Sequence, residues 1–369
     1  MLIGLCGGIC AGKRTVATYL AEHHGFTHLY LQPDNSVEIG NKESQTPVKN
    51  GVTTKGESRT EGRDSSQRTV PQQKDASVNQ HQHTFNTTED LLDFVTKRWR
   101  ECWVTTDIHT ESILDKLLKR PFFILVSVDA PVSVRWKRCN ARLQTTQSTA
   151  TPLSLEDFLL KSDEHLYNPE SGLLPLISRA TIRLLNTSSN LAHLYATLGK
   201  LDLTNEDRLR PSWDQYFMEL ASLAAQRSNC MKRRVGCVLV REKRVISTGY
   251  NGTPRGLKNC GDGGCARCNE GLGSGVGLGT CLCLHAEENA LLEAGRERIR
   301  EGAILYCDTC PCLTCSIKIA QVGISEVVYS QGYSMDGETA DVFKQAGVRL
   351  RQFIPPANGL IHLEKLSPY

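Results

Sequence analysis

Leu284-His285-Ala286-Glu287 and, further along, Cys310-Pro311-Cys312-Leu313-Thr314-Cys315 are the two stretches that decide how the C-terminal part of this sequence folds. His285, Cys312 and Cys315 are side chains of the borderline-soft kind that bind zinc. Three protein ligands leave one corner of a tetrahedron open, as a catalytic zinc site requires and a structural one does not. The two stretches therefore predict a catalytic zinc centre.

The local pattern places both stretches at helix starts. Pro311 suits the first turn of a helix, and residues 286–292 predict a second helix that begins just after the histidine. Two helix N-termini would then face one metal and favour its thiolate ligands. Glu287 could carry protons without binding the metal. A structural zinc knuckle or a C-x-x-C redox pair are the alternatives, but a redox pair would not require His285 or Glu287.

Composition limits the classes of function. The chain has 369 residues, which predicts two or three domains, and a net charge of only +3, which does not predict nucleic-acid binding. No apolar run is long enough to span a membrane, and the N-terminus lacks the basic region of a signal peptide. We therefore expect a cytoplasmic protein, with the nucleus as a further compartment. In that setting the fifteen cysteines predict metal binding and free thiols.

The N-terminus predicts a phosphate-binding loop between a strand and a helix. Gly7-x₄-Gly12-Lys13 matches a P-loop, in which backbone N–H groups and the lysine surround phosphates. Arg14 stands where a serine or threonine would hold Mg²⁺. The opening resembles dephospho-coenzyme A kinases, but this substitution favours a phosphate-binding or purely structural remnant over an active kinase.

The rest of the chain predicts two domains of the α/β class. Residues 1–200 alternate strands and helices, as in a doubly wound domain, with a polar and disordered insert at about 36–85. Residues 201–210 predict a linker, residues 211–355 a second domain ordered helix, hairpin, helix, strand, helix, strand, and residues 356–369 a tail.

This second domain resembles the zinc-dependent deoxycytidylate deaminases, specifically the fungal type with a degenerate P-loop domain in front. The resemblance rests on the H-x-E and P-C-x-x-C motifs and on Tyr250-Asn251-Gly252-Thr253-Pro254. It implies a three-layer α/β/α fold and hydrolysis of dCMP to dUMP and ammonia, with Glu287 as the proton carrier and dUMP supplied for thymidylate synthesis.

The resemblance also implies binding partners. Asn251 and Tyr333 would contact the substrate, and the loop that contains Asn251 would belong to the nucleotide-binding apparatus. dCTP as activator and dTTP as inhibitor would be the effectors, with Mg²⁺ accompanying them. A homo-hexamer would be the assembly.

A second, structural zinc is predicted beside the catalytic one. Cys260, Cys265 and Cys268 lie in a glycine-rich loop that has no core of its own, so we expect a metal to hold it. The resemblance to the bacteriophage enzyme adds Cys230 and Cys283 as ligands. The choice of the fourth ligand stays open between Cys265 and Cys268, with Cys281 as the less favoured option.

Three other functions compete with this interpretation. A nucleic-acid editing deaminase would need a basic groove with stacking aromatic residues, and aromatic residues are only 6% of this chain. A non-catalytic zinc scaffold would not need Glu287. A kinase with an auxiliary zinc domain would need the hydroxyl that Arg14 replaces.

Overall fold

The computed structural model describes residues 1–32, 83–146, 152–188, 190–273, 276–332 and 336–363. They fall into two units, Met1–Leu203 with Asn358–Tyr369, and Thr204–Ala357. The boundary after Leu203 lies inside the predicted linker 201–210. None of the helices in the described ranges has the length and apolarity needed to cross a membrane.

The described strands, in chain order, are β1 (Leu2–Cys6), β2 (Thr27–Leu31), β3 (Thr84–Phe85), β4 (Trp103–Thr105), β5 (Phe123–Asp129), β6 (Ile182–Leu185), β7 (Gly236–Arg241), β8 (Arg244–Tyr250), β9 (Ile304–Thr309), β10 (Glu326–Gln331), β11 (Arg349–Gln352) and β12 (Gly359–His362). The helices are α1 (Lys13–His24), α2 (Thr88–Lys97), α3 (Glu111–Leu118), α4 (Val132–Thr146), α5 (Leu155–Tyr167), α6 (Leu174–Ser178), α7 (Leu191–Leu201), α8 (Trp213–Ala225), α9 (Ala266–Asn269), α10 (Ala286–Ala294), α11 (Leu313–Gln321) and α12 (Asp336–Ala346).

The first unit is built on a parallel sheet in the order β12-β6-β5-β1-β4-β2-β3. All five residues of β1 are buried, as are the first six of β5, because central strands of a parallel sheet are covered on both faces. Strands β2, β3 and β4 lie on one side of β1 in the sheet, and the chain then crosses to β5 on the other side of β1. The loop after β1 therefore lies at the switch point, where doubly wound sheets bind ligands.

Two predicted irregular segments contain strands. Thr84–Phe85 pairs with β2, although the predicted disordered insert ran to about residue 85. Gly359–His362, within the predicted tail at 356–369, pairs with β6. Both strands are short and are held by backbone hydrogen bonds to distant residues, which leave no local sequence signal. Residues 36–82 of the predicted insert lie outside the described residues.

The second unit has a mixed sheet in the order β11-β10-β9-β7-β8 between two helical layers. The β7–β8 hairpin is antiparallel, and β9, β10 and β11 are parallel. Adjacent residues of the strands enter different cores: Leu239 and Leu305 pack with α10 and α11, whereas Val238 and Tyr306 pack with Phe217 of α8. This alternation gives the predicted α/β/α layers.

A close approach of β8 to α10 fixes the helix that leads away from His285. A Cβ atom at Gly249 would lie 2.1 Å from the carbonyl oxygen of Ala286 and 2.5 Å from the backbone nitrogen of Ala290. Only glycine can occupy this position without displacing the helix. The start of α10 is therefore set directly against the sheet.

Candidate functional site

The three predicted zinc ligands meet between two helix starts. His285 is the N-cap of α10 and Cys312 is the N-cap of α11, which confirms the predicted helix after the histidine. Pro311 precedes the cap and lies two positions before the first helical residue, Leu313, so its predicted place in the first turn is wrong. The Nδ1 atom of His285 lies 3.3 Å from the Sγ atoms of both Cys312 and Cys315. All three donor atoms lie within 4.8 Å of one another.

Hydrogen bonds already favour one thiolate in this group. Contacts with Cys315 and then with His285 lower the pKa of Cys312 to about 3, against the effect of burial. The hydrogen bond between His285 and Cys312 raises the pKa of His285 above its ordinary value. Two thiolates, a neutral imidazole and Zn²⁺ would carry no net charge, which suits a site this buried. The donor types and distances therefore fit zinc with an open fourth position.

Glu287 is buried beside these ligands. Only 4% of the residue is exposed, and burial raises the pKa of its carboxyl to about 7 although the charge on His285 acts in the opposite direction. The neighbouring Glu288 accepts a hydrogen bond from the backbone of His285 and forms an ion pair with Lys318 of α11. Glu288 thus links the start of α10 to the body of α11, while the carboxyl of Glu287 stays available in the site.

Three hydrogen bonds within the protein fix the side chain of Asn251. Its Oδ1 atom accepts hydrogen bonds from the backbone of Val235 at 2.8 Å and from the hydroxyl of Ser228 at 2.7 Å, and its Nδ2 atom donates to the carbonyl of Arg233 at 2.7 Å. These bonds fix the segment that precedes β7 and leave one amide hydrogen for another partner. Tyr333, the other predicted substrate contact, lies outside the described residues.

Two residues near the site were missed by the sequence analysis. Asp308, in β9, accepts a hydrogen bond from the backbone of Gly236, and its other carboxylate oxygen is buried without a partner. The exposed Arg233 attracts this carboxylate and donates to the side chain of Gln331 at 3.2 Å. The basic run at residues 232–234 was the available signal for Arg233, but its distance from the site could not be seen in the sequence.

A second group of cysteines lies just before His285 in the chain. All of the predicted ligands of the second zinc, and Cys281 in addition, pack together. We call these residues the six-cysteine cluster: Cys230, Cys260, Cys265, Cys268, Cys281 and Cys283.

The predicted P-loop, in the first unit, lines a separate cavity of about 690 Å³. Gly7 and Gly12 have positive φ angles, and the Nζ atom of Lys13 donates to the carbonyls of Gly7 at 2.7 Å and Gly8 at 3.1 Å. Lys13 therefore closes its own loop. Among the described residues that line the cavity there is no carboxylate, and besides Lys13 there are four basic side chains: Arg14, Arg138, Arg142 and His165.

Comparisons with known proteins cover both units. The family model described as the cytidine and deoxycytidylate deaminase zinc-binding region matches residues 211–331. A deoxycytidylate deaminase of Schizosaccharomyces pombe is 46% identical over 97% of this chain and 99% of its own length. One of Saccharomyces cerevisiae is 51% identical over 72% of this chain and 85% of its own. The crystal structure of a dCMP deaminase from cyanophage S-TIM5 with dCMP and dUMP is 32% identical, covers 39% of this chain and 98% of the phage chain, and has a TM-score of 0.32.

Proposed function

The chain belongs to the deoxycytidylate deaminase family, and from this premise we propose how its residues divide the hydrolysis of dCMP to dUMP and ammonia. His285, Cys312 and Cys315 hold the catalytic zinc, and Glu287 carries protons. The observation that supports this division most directly is the convergence of three zinc-binding side chains on one point with a buried carboxyl beside them.

Zinc, when bound, lowers the pKa of water enough to supply a nucleophile near neutral pH. Glu287 takes the proton released from the attacking water and delivers it to N3 of the cytosine ring; it then takes the proton of the new hydroxyl on C4 and delivers it to the amine as the bond between C4 and that nitrogen breaks. Because Glu287 is buried and its neighbour Glu288 is engaged with the backbone of His285 and with Lys318, Glu287 is the carboxyl available for these transfers.

The substrate phosphate requires a cation, and Arg233 is the group best placed to provide it. Its side chain reaches Gln331 at the end of β10, and its backbone is held by Asn251. Asn251 therefore acts mainly by positioning Arg233, with its remaining amide hydrogen as its direct contact to the nucleotide. Tyr333 remains a proposed substrate contact on the resemblance alone.

Regulation and assembly follow from the same family. dCTP would activate and dTTP would inhibit, with Mg²⁺ accompanying these effectors, and the loop at residues 250–256 would form part of their site. The assembly would be a homo-hexamer. These proposals rest on the motif in the loop and on the resemblance.

The six-cysteine cluster is proposed to be a structural metal site. Its sulfur atoms crowd a segment rich in glycine, and a shell filled by thiolates would leave no position for water. The P-loop of the first unit is proposed to bind phosphate without transferring it, because Arg14 replaces the hydroxyl that would hold Mg²⁺. We propose residues 1–200 as the P-loop domain and residues 211–355 as the deaminase domain; the division of the chain after Leu203 supports this proposal.

Ammonia release from dCMP tests the proposed function. The purified chain is incubated with dCMP, with cytidine and with a cytosine-containing oligonucleotide, each with and without dCTP and dTTP. We expect turnover of dCMP only, raised by dCTP and reduced by dTTP. Turnover of the oligonucleotide in preference to dCMP would instead support an editing deaminase, and no turnover by zinc-loaded protein would support a scaffold.

A further inference from the structure

The six-cysteine cluster divides into two overlapping groups of four. In the first group the Sγ atoms of Cys230, Cys260, Cys268 and Cys283 all lie within 4.8 Å of one another. In the second group the same holds for Cys265, Cys268, Cys281 and Cys283. Cys268 and Cys283 belong to both groups. Each group has the number of ligands that one tetrahedral zinc ion requires.

The distances between sulfur atoms agree with two such tetrahedra. A zinc–sulfur bond of about 2.3 Å gives a tetrahedron with edges of about 3.8 Å. In the first group, Cys268 lies 3.8 Å from Cys230 and 4.0 Å from Cys283. In the second group, Cys281 lies 3.9 Å from Cys265 and 3.8 Å from Cys268. Both groups are thus at the spacing of four-coordinate metal sites.

We propose that the six-cysteine cluster binds two zinc ions, with the sulfur atoms of Cys268 and Cys283 each bridging both ions. Two complete tetrahedra need eight sulfur positions, and two shared sulfurs reduce the requirement to six, the number present. This inference rests on the proposal that the cluster is a metal site. It brings the zinc content to three ions per chain.

Other uses of six clustered thiols fit the arrangement less well. A single zinc ion would leave two cysteines of the cluster unused at contact distance from its ligands. All fifteen cysteines are free, so no disulfide accounts for the crowding. In an iron–sulfur cluster, inorganic sulfide completes the coordination of each iron, so four cysteine sulfurs do not contact one another as they do in each of these groups.

The surroundings stabilise negative charge on the sulfur atoms. Six thiolates and two Zn²⁺ ions carry a net charge of −2. Backbone N–H groups of Met231 and Leu282 donate to the sulfurs of Cys260 and Cys265, each at 3.4 Å. The guanidinium of Arg267, a residue only 7% exposed, lies 3.6 Å from the sulfur of Cys281. Such hydrogen bonds and charges around ligand atoms are what a buried metal–thiolate site needs.

The bridged cluster would join three separate segments and fix the approach to the catalytic histidine. Cys230 follows α8, the pair Cys265 and Cys268 flanks the start of α9, and Cys283 precedes His285 by two residues. Leu284, which lies between Cys283 and His285 in the chain, exchanges backbone hydrogen bonds with Gly252 in an isolated β-bridge. The position of His285 thus depends on a residue that would bind both cluster ions.

Metal analysis of the full-length chain tests the proposal. Protein purified without chelator is analysed for zinc by mass spectrometry. The Cys312→Ser variant, which lacks one proposed ligand of the catalytic zinc, shows how much of the zinc content belongs to the catalytic site. We expect three zinc ions per chain, and two in the Cys312→Ser variant. Two in the parent and one in the variant would show a single ion in the cluster and overturn the bridged arrangement. One in the parent and none in the variant would overturn the proposed metal site itself.

Spectroscopy on the unsubstituted chain tests the bridges without a risk of misfolding. After exchange of zinc for ¹¹³Cd, two cluster resonances should show spin–spin coupling through the shared sulfurs, in addition to one uncoupled resonance from the catalytic site. Uncoupled cluster resonances would contradict shared ligands.

Two variants form a matched pair that tests the same point by zinc content. Cys268→Ser, which removes a shared ligand, should lose both cluster ions, and Cys265→Ser, which removes an unshared ligand, should lose one. Equal losses in the two variants would also contradict shared ligands.

Discussion

The predicted P-loop of the first unit and the proposed zinc site of the second unit use the same architecture with different side chains. Both lie where a helix begins: Lys13 starts α1, and His285 and Cys312 cap α10 and α11. In the zinc site every donor faces a common point. In the predicted P-loop the lysine instead donates to the carbonyls of Gly7 and Gly8, and Arg14 stands where the motif would have the magnesium ligand.

The backbone geometry of a helix start and the chemistry of the side chains on it can therefore differ independently. The close glycine contacts of the P-loop remain: a Cβ at Gly7 would lie 2.0 Å from the carbonyl oxygen of Val128. What differs is the side chains at the helix start. We therefore expect changes at the zinc site to abolish deamination, and changes at the P-loop to leave it in place.

Glu287→Gln should cause the largest loss. The amide has nearly the same shape as the carboxyl but cannot accept a proton near neutral pH, so kcat for dCMP should fall by at least ~10²–10⁴. The zinc content and the melting temperature should stay close to those of the parent chain. A zinc-loaded Gln variant with near-normal turnover would remove Glu287 from the mechanism.

Arg233→Ala should weaken recognition of the substrate phosphate. A hydrogen bond to a charged group contributes about 1.5–3 kcal/mol, so KM for dCMP should rise by roughly 10–100-fold while kcat changes little. Arg234→Ala is the matched control from the same basic run and should have a small effect. Deoxycytidine, which lacks the phosphate, should be turned over equally slowly by the parent chain and by both variants. An unchanged KM in Arg233→Ala would place the phosphate elsewhere.

How far the sequence allowed this site to be predicted depends on how local each contact is. The convergence of His285 with Cys312 and Cys315 was predictable because these residues lie in short motifs at helix starts, where spacing alone fixes geometry. The presence of Cys268 and Cys283 in both groups of four sulfur atoms was not predictable, because the described chain between β8 and α10 is largely irregular and spacing says little about which sulfurs meet. Pairing of β12 with β6 was missed because its partner lies more than a hundred residues away.

Alanine at Gly249 and at Gly7 compares the two frameworks directly. Each added Cβ would overlap a backbone carbonyl oxygen, and overpacking of this kind costs about 1–3 kcal/mol of folding free energy. We expect both variants to melt at a lower temperature. Only Gly249→Ala should also reduce zinc content and deamination, because it displaces α10 and His285. Equal loss of activity in Gly7→Ala at a temperature where that variant is folded would mean that the first unit supports the reaction.

Lys13→Ala should have the smallest effect on deamination. Its ammonium group is buried, which lowers its pKa, and it donates to carbonyls of its own loop, so its loss should loosen the P-loop and destabilise the first unit. The donors of the zinc site lie in the second unit and do not involve this residue. Turnover of dCMP and its response to dCTP and dTTP, measured below the melting temperature of the variant, should therefore match those of the parent chain. If the folded variant keeps its zinc and turnover but no longer responds to the two effectors, the P-loop is a regulatory nucleotide site. The loop would then have a function of its own in addition to its backbone structure.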